Sequence, residues 1–139
     1  MPRYLIDTSA LARLTRRTSL RAKWQQTLHR GRVGLCPITE LELLLSARSF
    51  GDRCSVLSEL QDEYCWIPMP DRVFQRAAEI QELLTKQGLH RCGSPVDLLV
   101  AATADLNNLI VLHYDRDFES IARITGQPVE WLAPPGSLS

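Results

Sequence analysis

Short apolar segments alternate with longer helical ones along almost the whole chain, and this order limits the folds available to it. Five segments of three to five residues have the continuous apolar character of buried strands: 3–7, 33–36, 65–67, 109–113 and 129–131. Seven others carry helical periodicity or helix-end signals: 9–14, 19–30, 37–48, 52–63, 71–87, 94–107 and 117–125. The alternation predicts an α/β fold with a mainly parallel sheet, because parallel strands need a crossover between them.

Length and composition indicate one globular domain. The chain has 139 residues, of which 45% are hydrophobic and 23% charged, which excludes a disordered chain, a fibre and a coiled coil. We expect a domain over 1–132 and a flexible tail over 133–139. No apolar run approaches the roughly 18 residues of a membrane span, and the first residues lack the apolar stretch of a secretion signal. We therefore expect a cytoplasmic protein without a membrane segment and with free cysteines.

The charge is unevenly distributed although the net charge is zero. Residues 1–39 carry eight Lys and Arg side chains against the single acid Asp7, and no acid lies between Thr8 and Thr39. A basic block beside an acidic remainder can attract a polyanion to one face. A solvated helix surface explains such a block equally simply, so phosphate binding is only modestly favoured. The candidate phosphate contacts are Arg13, Arg16, Arg17, Arg21 and Lys23.

Several acidic residues lie just after predicted strands or in the first turns of the helices that follow them. Asp7 ends the first strand, Glu40 and Asp97 lie in the first turns of two helices, and Asp115 and Asp117 follow the strand at 109–113. In open α/β sheets the working crevice lies outside the carboxyl ends of the strands. Four segments of the chain would therefore bring carboxylates to one edge of the sheet.

Clustered carboxylates repel one another, and a divalent cation relieves that repulsion. Mg²⁺ and Mn²⁺ prefer oxygen ligands, and one or two such ions among four acids form a site that hydrolyses phosphodiesters with a metal-activated water. The sequence offers no competing nucleophile motif or phosphate-binding loop. It therefore predicts that Asp7, Glu40, Asp97, Asp115 and Asp117 are both metal ligands and catalytic residues.

Each acid also has a purely structural explanation. Asp is a preferred helix N-cap, Ser94 with Asp97 matches a capping box, and Thr39 with Glu42 matches another. The second box leaves Glu40 unexplained. Glu40 and Asp97 share their helical stripes with apolar residues, where an unpaired carboxylate is costly to bury. We therefore prefer a shared metal to four independent caps.

Four motifs in order resemble the PIN-domain ribonucleases, and more narrowly the VapC toxins of type II VapBC toxin–antitoxin systems: LIDTSAL at 5–11, ITELELL at 38–44, SPVDLLVAATA at 94–104 and LHYDRDFESIA at 112–122. The resemblance extends from about Tyr4 to Trp131. It implies a three-layer α/β/α sandwich and Mg²⁺- or Mn²⁺-dependent endonucleolytic cleavage of structured RNA such as tRNA or rRNA. It also implies a homodimer and a cognate VapB antitoxin, in a larger toxin–antitoxin assembly.

The resemblance also assigns roles to individual residues. Asp7 and Asp97 match the first and third acids and would hold the principal ion. Glu40 matches the second acid and would bind a second ion or orient the attacking water. Asp115 and Asp117 both match the fourth position, and the sequence does not say which is the inner ligand. Ser9 matches the hydroxyl of the D-x-S motif and would hydrogen-bond an acid or a metal-bound water.

Three other functions are compatible with an acidic edge on an α/β sheet. A phosphatase with Asp7 as covalent nucleophile would need a second acid where Ser9 stands, and a phospho-acceptor domain would need a lysine at a strand end. A PIN-like scaffold that binds RNA or protein without cutting is the strongest alternative. Metal-dependent RNA cleavage that disappears on Asp7→Asn distinguishes the enzyme from that scaffold.

Overall fold

The computed structural model describes residues 1–138 and contains seven helices and five strands within them. In chain order the elements are β1 Tyr4–Ile6, α1 Thr8–Arg16, α2 Thr18–His29, β2 Val33–Leu35, α3 Pro37–Leu44, α4 Phe50–Glu63, β3 Cys65–Trp66, α5 Val73–Lys86, α6 Pro95–Leu106, β4 Ile110–His113, α7 Asp117–Thr125 and β5 Val129–Trp131. Every predicted element is present, with ends that shift by a few residues. Among the described residues no helix is both long and apolar enough to span a bilayer.

The strands form one sheet in the order β3-β2-β1-β4-β5, and every neighbouring pair is parallel. The predicted α/β fold with a parallel sheet is confirmed. β1 lies at the centre, with Leu5 paired to Gly34 of β2 on one side and to Val111 of β4 on the other. The carboxyl ends of all five strands therefore meet at the same edge of the sheet.

Side-chain alternation along the central strands divides the core into two layers. Leu5 and Val111 pack with the apolar faces of α5, α6 and α7, whereas Ile6 and Leu112 pack with those of α1, α2 and α4. Successive strand residues point to opposite faces of a sheet, so β1 and β4 are buried on both sides. The result is the three-layer α/β/α sandwich that was expected.

Local hydrogen bonds explain where the structure departs from the predicted ends. The helix expected over 37–48 ends at Leu44, because the amides of Leu45 and Ser46 bond to carbonyls three residues back, and Ser46 Oγ also donates to Leu43. Ser49 caps α4 and begins it two residues earlier than expected. Gly126 adopts a left-handed φ of 74° and ends α7 as predicted.

The last residues contact the domain. Ala133 is buried, and the backbone N–H of Leu138 donates to the Tyr114 hydroxyl at 2.9 Å. The domain limit at residue 132 and the flexible tail stay predictions, and Ser139 lies outside the described residues.

Candidate active site

Asp7 lies directly after β1 and is the N-cap of α1, so one residue both ends a strand and begins a helix. Its carboxylate accepts the N–H groups of Ser9 and Ala10 at 3.2 and 3.3 Å and the Ser9 hydroxyl at 2.8 and 2.9 Å. Its backbone N–H donates to the carbonyl of Leu112 on β4. These bonds fix the orientation of the carboxylate at the sheet edge.

Burial dominates the electrostatics of Asp7. The residue is only 4% exposed, and this desolvation raises its pKa from 3.8 to about 7. The hydrogen bonds from Ser9 and Ala10 act in the opposite direction, and the nearby charge of Asp97 raises the pKa further. Asp7 thus carries a charge that its surroundings disfavour at neutral pH.

A second group of acids comes from the start of α6 and from the segment that joins β4 to the start of α7. Asp97, Asp115 and Asp117 each offer a carboxylate oxygen, and these three oxygens lie within 4.8 Å of one another. Burial raises the pKa of Asp97, and the charges of Asp115 and Asp117 add to that effect. Burial and then the charge of Asp115 raise the pKa of Asp117. All three are half-buried, and within residues 1–138 no Lys or Arg forms an ion pair with them.

Local structure positions each of these three acids. Asp97 and Ser94 form the predicted capping box, in which the Ser94 hydroxyl accepts from the Asp97 amide and the Asp97 carboxylate accepts from the Ser94 amide. Asp115 Oδ1 accepts the amide of Asp117 at 2.9 Å. The capping explanation of Asp97 is therefore correct, and a carboxylate oxygen of Asp97 also belongs to the three-acid group. Capping and metal binding are compatible here.

The donor set fits a small divalent cation. Mg²⁺ holds its ligand oxygens at most about 4.2 Å apart. The three oxygens here lie within 4.8 Å of one another, so a small side-chain adjustment brings all of them within reach of one ion. Three carboxylates that lie this close repel one another, and a divalent cation between them relieves that repulsion. Asp7 lies close enough to this group for the charge of Asp97 to raise the Asp7 pKa.

The structure does not bring Glu40 into this site. Glu40 lines a cavity of about 450 Å³ together with Leu60, Gln61, Tyr64 and Trp66. Glu42 lies two residues further along α3. Residues two apart on a helix point in nearly opposite directions. Glu40 is thus not among the acids that the structure groups together, and its metal and catalytic role stays a prediction.

Glu42 is the acid of α3 that contacts the start of α1. Its Oε1 accepts a hydrogen bond from the hydroxyl of Thr8, the residue next to Asp7. The predicted box of Thr39 with Glu42 is wrong, because Cys36 is the N-cap of α3 and Thr39 is fully buried inside the helix. A helix that begins at Pro37, as the sequence predicts, already places Thr39 inside the helix and so excludes that box.

Ser9 connects two parts of the site. Its hydroxyl donates to Asp7 and accepts the backbone N–H of Tyr114 at 2.8 Å. The predicted contact between Ser9 and an acid is thus present in the structure, and the contact with the loop after β4 was not predicted. Through Ser9, that loop is held against the start of α1.

His113 supports the same loop from the core. It is fully buried between the rings of Phe118 and Trp131, and burial lowers its pKa to about 4, with Glu119 and Asp115 opposing. Its Nδ1 accepts the backbone N–H of Asp115 at 3.2 Å, so the neutral ring carries its proton on Nε2. It orients the acidic loop as a packed residue.

Of the residues predicted to contact phosphates, Arg13 and Arg21 make contacts within the protein, whereas Arg16 and Lys23 are exposed. Arg13 donates to the Ser9 carbonyl and stacks on the Tyr114 ring at 4.6 Å, so it braces the site. Arg21 is paired with Glu63. Arg16 and Lys23 are exposed, and Arg17 is half-buried.

Known proteins resemble this chain over nearly its whole length. The PIN domain family matches residues 4–124. Ribonuclease VapC21 of Mycobacterium tuberculosis is 43% identical over 135 residues, which are 97% of each chain. Ribonuclease VapC18 of the same species is 39% identical over 137 residues, covering 97% of this chain and 98% of the relative.

Solved structures share the fold. A DNA-bound VapBC complex from Salmonella typhimurium has a chain that superimposes with a TM-score of 0.79 at 20% identity, covering 96% of this chain and 100% of that one. VapBC-5 from Mycobacterium tuberculosis gives a TM-score of 0.61 at 25% identity, covering 94% and 98%.

Proposed function

We infer what this chain does from one premise: it belongs to the PIN-domain family, among the VapC ribonucleases. It is a ribonuclease, the toxin of a toxin–antitoxin pair, and a hydrolase of phosphodiester bonds. The observation that carries this conclusion is the identity to VapC21 over 97% of both chains. The acids gathered at one sheet edge give that activity a site.

We propose that Asp97, Asp115 and Asp117 hold Mg²⁺ or Mn²⁺, one or two ions per site, with Asp7 beside them. The mutual spacing of the three carboxylates and the raised pKa values of Asp97 and Asp117 support this proposal. When bound, the ion supplies positive charge that stabilises the scissile phosphate and acidifies a water. Asp115 and Asp117 both contribute to the group, so we propose both as ligands.

The remaining residues of the proposed site orient the acids. Ser9 holds the carboxylate of Asp7 and leaves it one preferred direction, since three donors converge on it. Thr8 holds Glu42, which we propose in place of Glu40 as the acid that α3 contributes. These hydrogen bonds set ligand geometry without contacting substrate, as outer-sphere partners do at metal sites.

We propose structured RNA, such as a tRNA or rRNA, as the substrate. The exposed cations Arg16 and Lys23, on α1 and α2, are available to its phosphates. Arg13 and Arg21 are engaged inside the protein, so we expect them to contribute less to RNA affinity. RNA binding of this kind weakens with salt in proportion to the phosphates neutralised.

We propose a VapB-type antitoxin as the partner that silences the site. Neighbouring solved structures are VapBC complexes. The carboxylates of Asp97, Asp115 and Asp117 form no ion pair within the described residues, and an arginine of the antitoxin would pair with two of their oxygens at once. Replacing that arginine should abolish inhibition in an RNA cleavage assay, and persistent inhibition would contradict the proposal. We expect the pair in the cytoplasm.

We also propose a homodimer, formed through the apolar end of α3 and α4, within a larger assembly with the antitoxin. Leu41, Leu45 and Phe50 are exposed by 57%, 85% and 80%. Leu41 and Leu45 line an apolar cavity of about 320 Å³, and Glu42 is also part of its lining. A face this apolar is typical of a protein interface, and it would place the dimer contact beside the acids.

The test of the proposed function is cleavage of total bacterial RNA by the wild type and by Asp7→Asn, with Mg²⁺, with Mn²⁺ and with chelator. We expect discrete fragments that require both the metal and Asp7. Asn keeps the size of the side chain and an oxygen that can cap α1, so a loss of cleavage reports the charge. Intact RNA in every lane, from folded protein free of antitoxin, would favour the non-catalytic scaffold.

A further inference from the structure

The amino ends of β1 and β2 lie at the end of the sheet opposite the acids, because the two strands are parallel neighbours. A cavity of about 260 Å³ opens there, lined by Arg3, Tyr4, Gln26, Thr27, Arg30 and Arg32. Three of these six residues are arginines, which we call the arginine cluster. It lies outside the site described above.

Backbone hydrogen bonds hold the arginine cluster together. The amides of Arg3 and Tyr4 both donate to the carbonyl of Arg32, at 2.7 and 2.9 Å, and the amide of Arg32 donates to Thr27 at 3.2 Å. Arg30 caps the C-terminal end of α2. The three guanidinium groups therefore start from fixed, adjacent backbone positions.

The side chains of the cluster are available to a ligand. Arg3, Arg30 and Arg32 are all exposed, and within residues 1–138 none of them forms an ion pair. The Arg3 guanidinium lies 5.6 Å from the centre of the Tyr4 ring, which orients it by a cation–π contact. Among the described residues, Glu130 contacts the cavity lining, where its carboxylate accepts the Tyr4 hydroxyl at 3.3 Å.

The chemistry of the lining selects phosphodiester groups. Guanidinium groups stay protonated and bind phosphate oxygens with two parallel hydrogen bonds. Gln26 and Thr27 add neutral amide and hydroxyl donors to the same cavity. Three cations without a carboxylate in the lining repel one another, and a polyanion relieves that repulsion.

We propose that the arginine cluster binds the phosphate backbone of the RNA substrate, away from the bond that is cut. This inference rests on the proposed function, because it joins the two ends of the sheet through one ligand. Arg3 and Asp7 are four residues apart along an extended strand, which is about 13 Å. One strand of a B-form duplex passes about four phosphates in that distance, and one strand of an RNA duplex, whose rise per base pair is smaller, passes at least as many. The substrate must therefore extend well beyond the scissile bond, as a folded RNA does.

The test measures RNA binding separately from cleavage. Asp7→Asn is introduced into every protein so that RNA stays intact, and the double variant Arg30→Ala/Arg32→Ala is compared with Arg72→Ala/Arg123→Ala. Arg72 and Arg123 are exposed on other surfaces, so this control removes the same charge. The probe is fluorescently labelled bulk bacterial tRNA, with anisotropy read from 50 to 200 mM KCl.

Loss of two phosphate contacts lowers the slope of log affinity against log salt by about 1.4 to 1.8. We therefore expect the affinity ratio between the two salt concentrations to fall roughly tenfold in the cluster variant, and not in the control. Arg30→Lys/Arg32→Lys should recover most of the slope, since lysine keeps the charge. In chains with Asp7 intact, we expect the cluster variant to have a raised KM and an unchanged kcat.

Equal salt slopes in the cluster variant and the control would overturn the proposal. A loss confined to duplex DNA with the same number of phosphates would overturn it too, by assigning the cluster to DNA. Failure of the proposed function would appear elsewhere, as intact RNA after incubation with the wild type. The two failures are therefore measured on different samples.

Discussion

The Ser9 hydroxyl lies 2.8 Å from the backbone nitrogen of Tyr114, and through this bond the loop after β4 is fastened to the first acid of the site. The same hydroxyl donates to the Asp7 carboxylate. One small side chain thus joins segments that are 105 residues apart in sequence. Because Asp115 follows Tyr114 directly, this hydrogen bond also helps to position Asp115.

Ser9→Ala should weaken both the fold and the site. The variant leaves the Tyr114 N–H without its acceptor, at a cost of about 1–3 kcal/mol in the free energy of unfolding. Loss of a hydrogen bond to a metal-site carboxylate should also lower cleavage by roughly 10–100-fold. Urea unfolding and RNA cleavage check the two effects. Ser58→Ala, at an exposed position of α4, is the matched control, and equal behaviour of the two variants would contradict the role of Ser9.

The pair Glu40→Gln and Glu42→Gln tests which acid of α3 serves the site. We expect Glu42→Gln to lower RNA cleavage by roughly 10–100-fold, since Glu42 accepts the hydroxyl of Thr8 beside Asp7. Glu40→Gln should leave cleavage within a factor of about two, because its side chain lines a different cavity. Initial rates under saturating Mn²⁺ give the comparison. A larger loss in Glu40→Gln would restore the sequence-based assignment.

Asp7 should make the metal-free protein less stable as the pH rises. Its pKa is about 7 in the folded chain and near 3.8 in the unfolded chain, so between these values the unfolded state binds fewer protons and stability falls with increasing pH. Asp7→Asn removes this cost and should raise stability at pH 8 in EDTA by up to about 4 kcal/mol, with a smaller gain at pH 5.

Thermal unfolding at the two pH values measures this effect. Asp71→Asn, which changes an exposed acid, is the control. A variant Asp7→Asn that is no more stable than the wild type at pH 8 would show that burial does not penalise the Asp7 charge as described.

The apolar end of α3 and α4 predicts a change of oligomeric state. Leu45→Glu combined with Phe50→Glu should convert a dimer to a monomer in sedimentation, because each charge would be buried at the interface. Both side chains are largely exposed in the single chain, so the fold should survive. Phe74→Glu, on the exposed face of α5, should stay dimeric. A monomeric wild type, or a dimer that tolerates both charges, would contradict the proposed interface.

The sequence determines the sheet and most of the acidic edge because both follow from local patterns. Leu5 and Val111 belong to continuous apolar runs, and Asp7 and Asp115 follow those runs directly. Once the strands are parallel, their carboxyl ends must meet, so the neighbourhood of Asp7 and Asp97 can be predicted.

Details that depend on helix rotation could not be predicted in the same way. Periodicity favours Glu40, because it shares a helical stripe with apolar residues, whereas the structure places Glu42 against Thr8. The contact between Ser9 and Tyr114 and the arginine cluster both depend on backbone approach between distant segments. Such tertiary contacts have no local signature in the sequence.

We expect one group of carboxylates both to bind the metal and to be required for RNA cleavage. The most direct measurement titrates Mn²⁺ by calorimetry into the wild type and Asp97→Asn, and measures RNA cleavage on the same samples. We predict that the wild type binds and cleaves over the same range of Mn²⁺ concentration, and that Asp97→Asn loses both while staying folded. Full cleavage by Asp97→Asn, or cleavage by the wild type in excess chelator, would contradict the account.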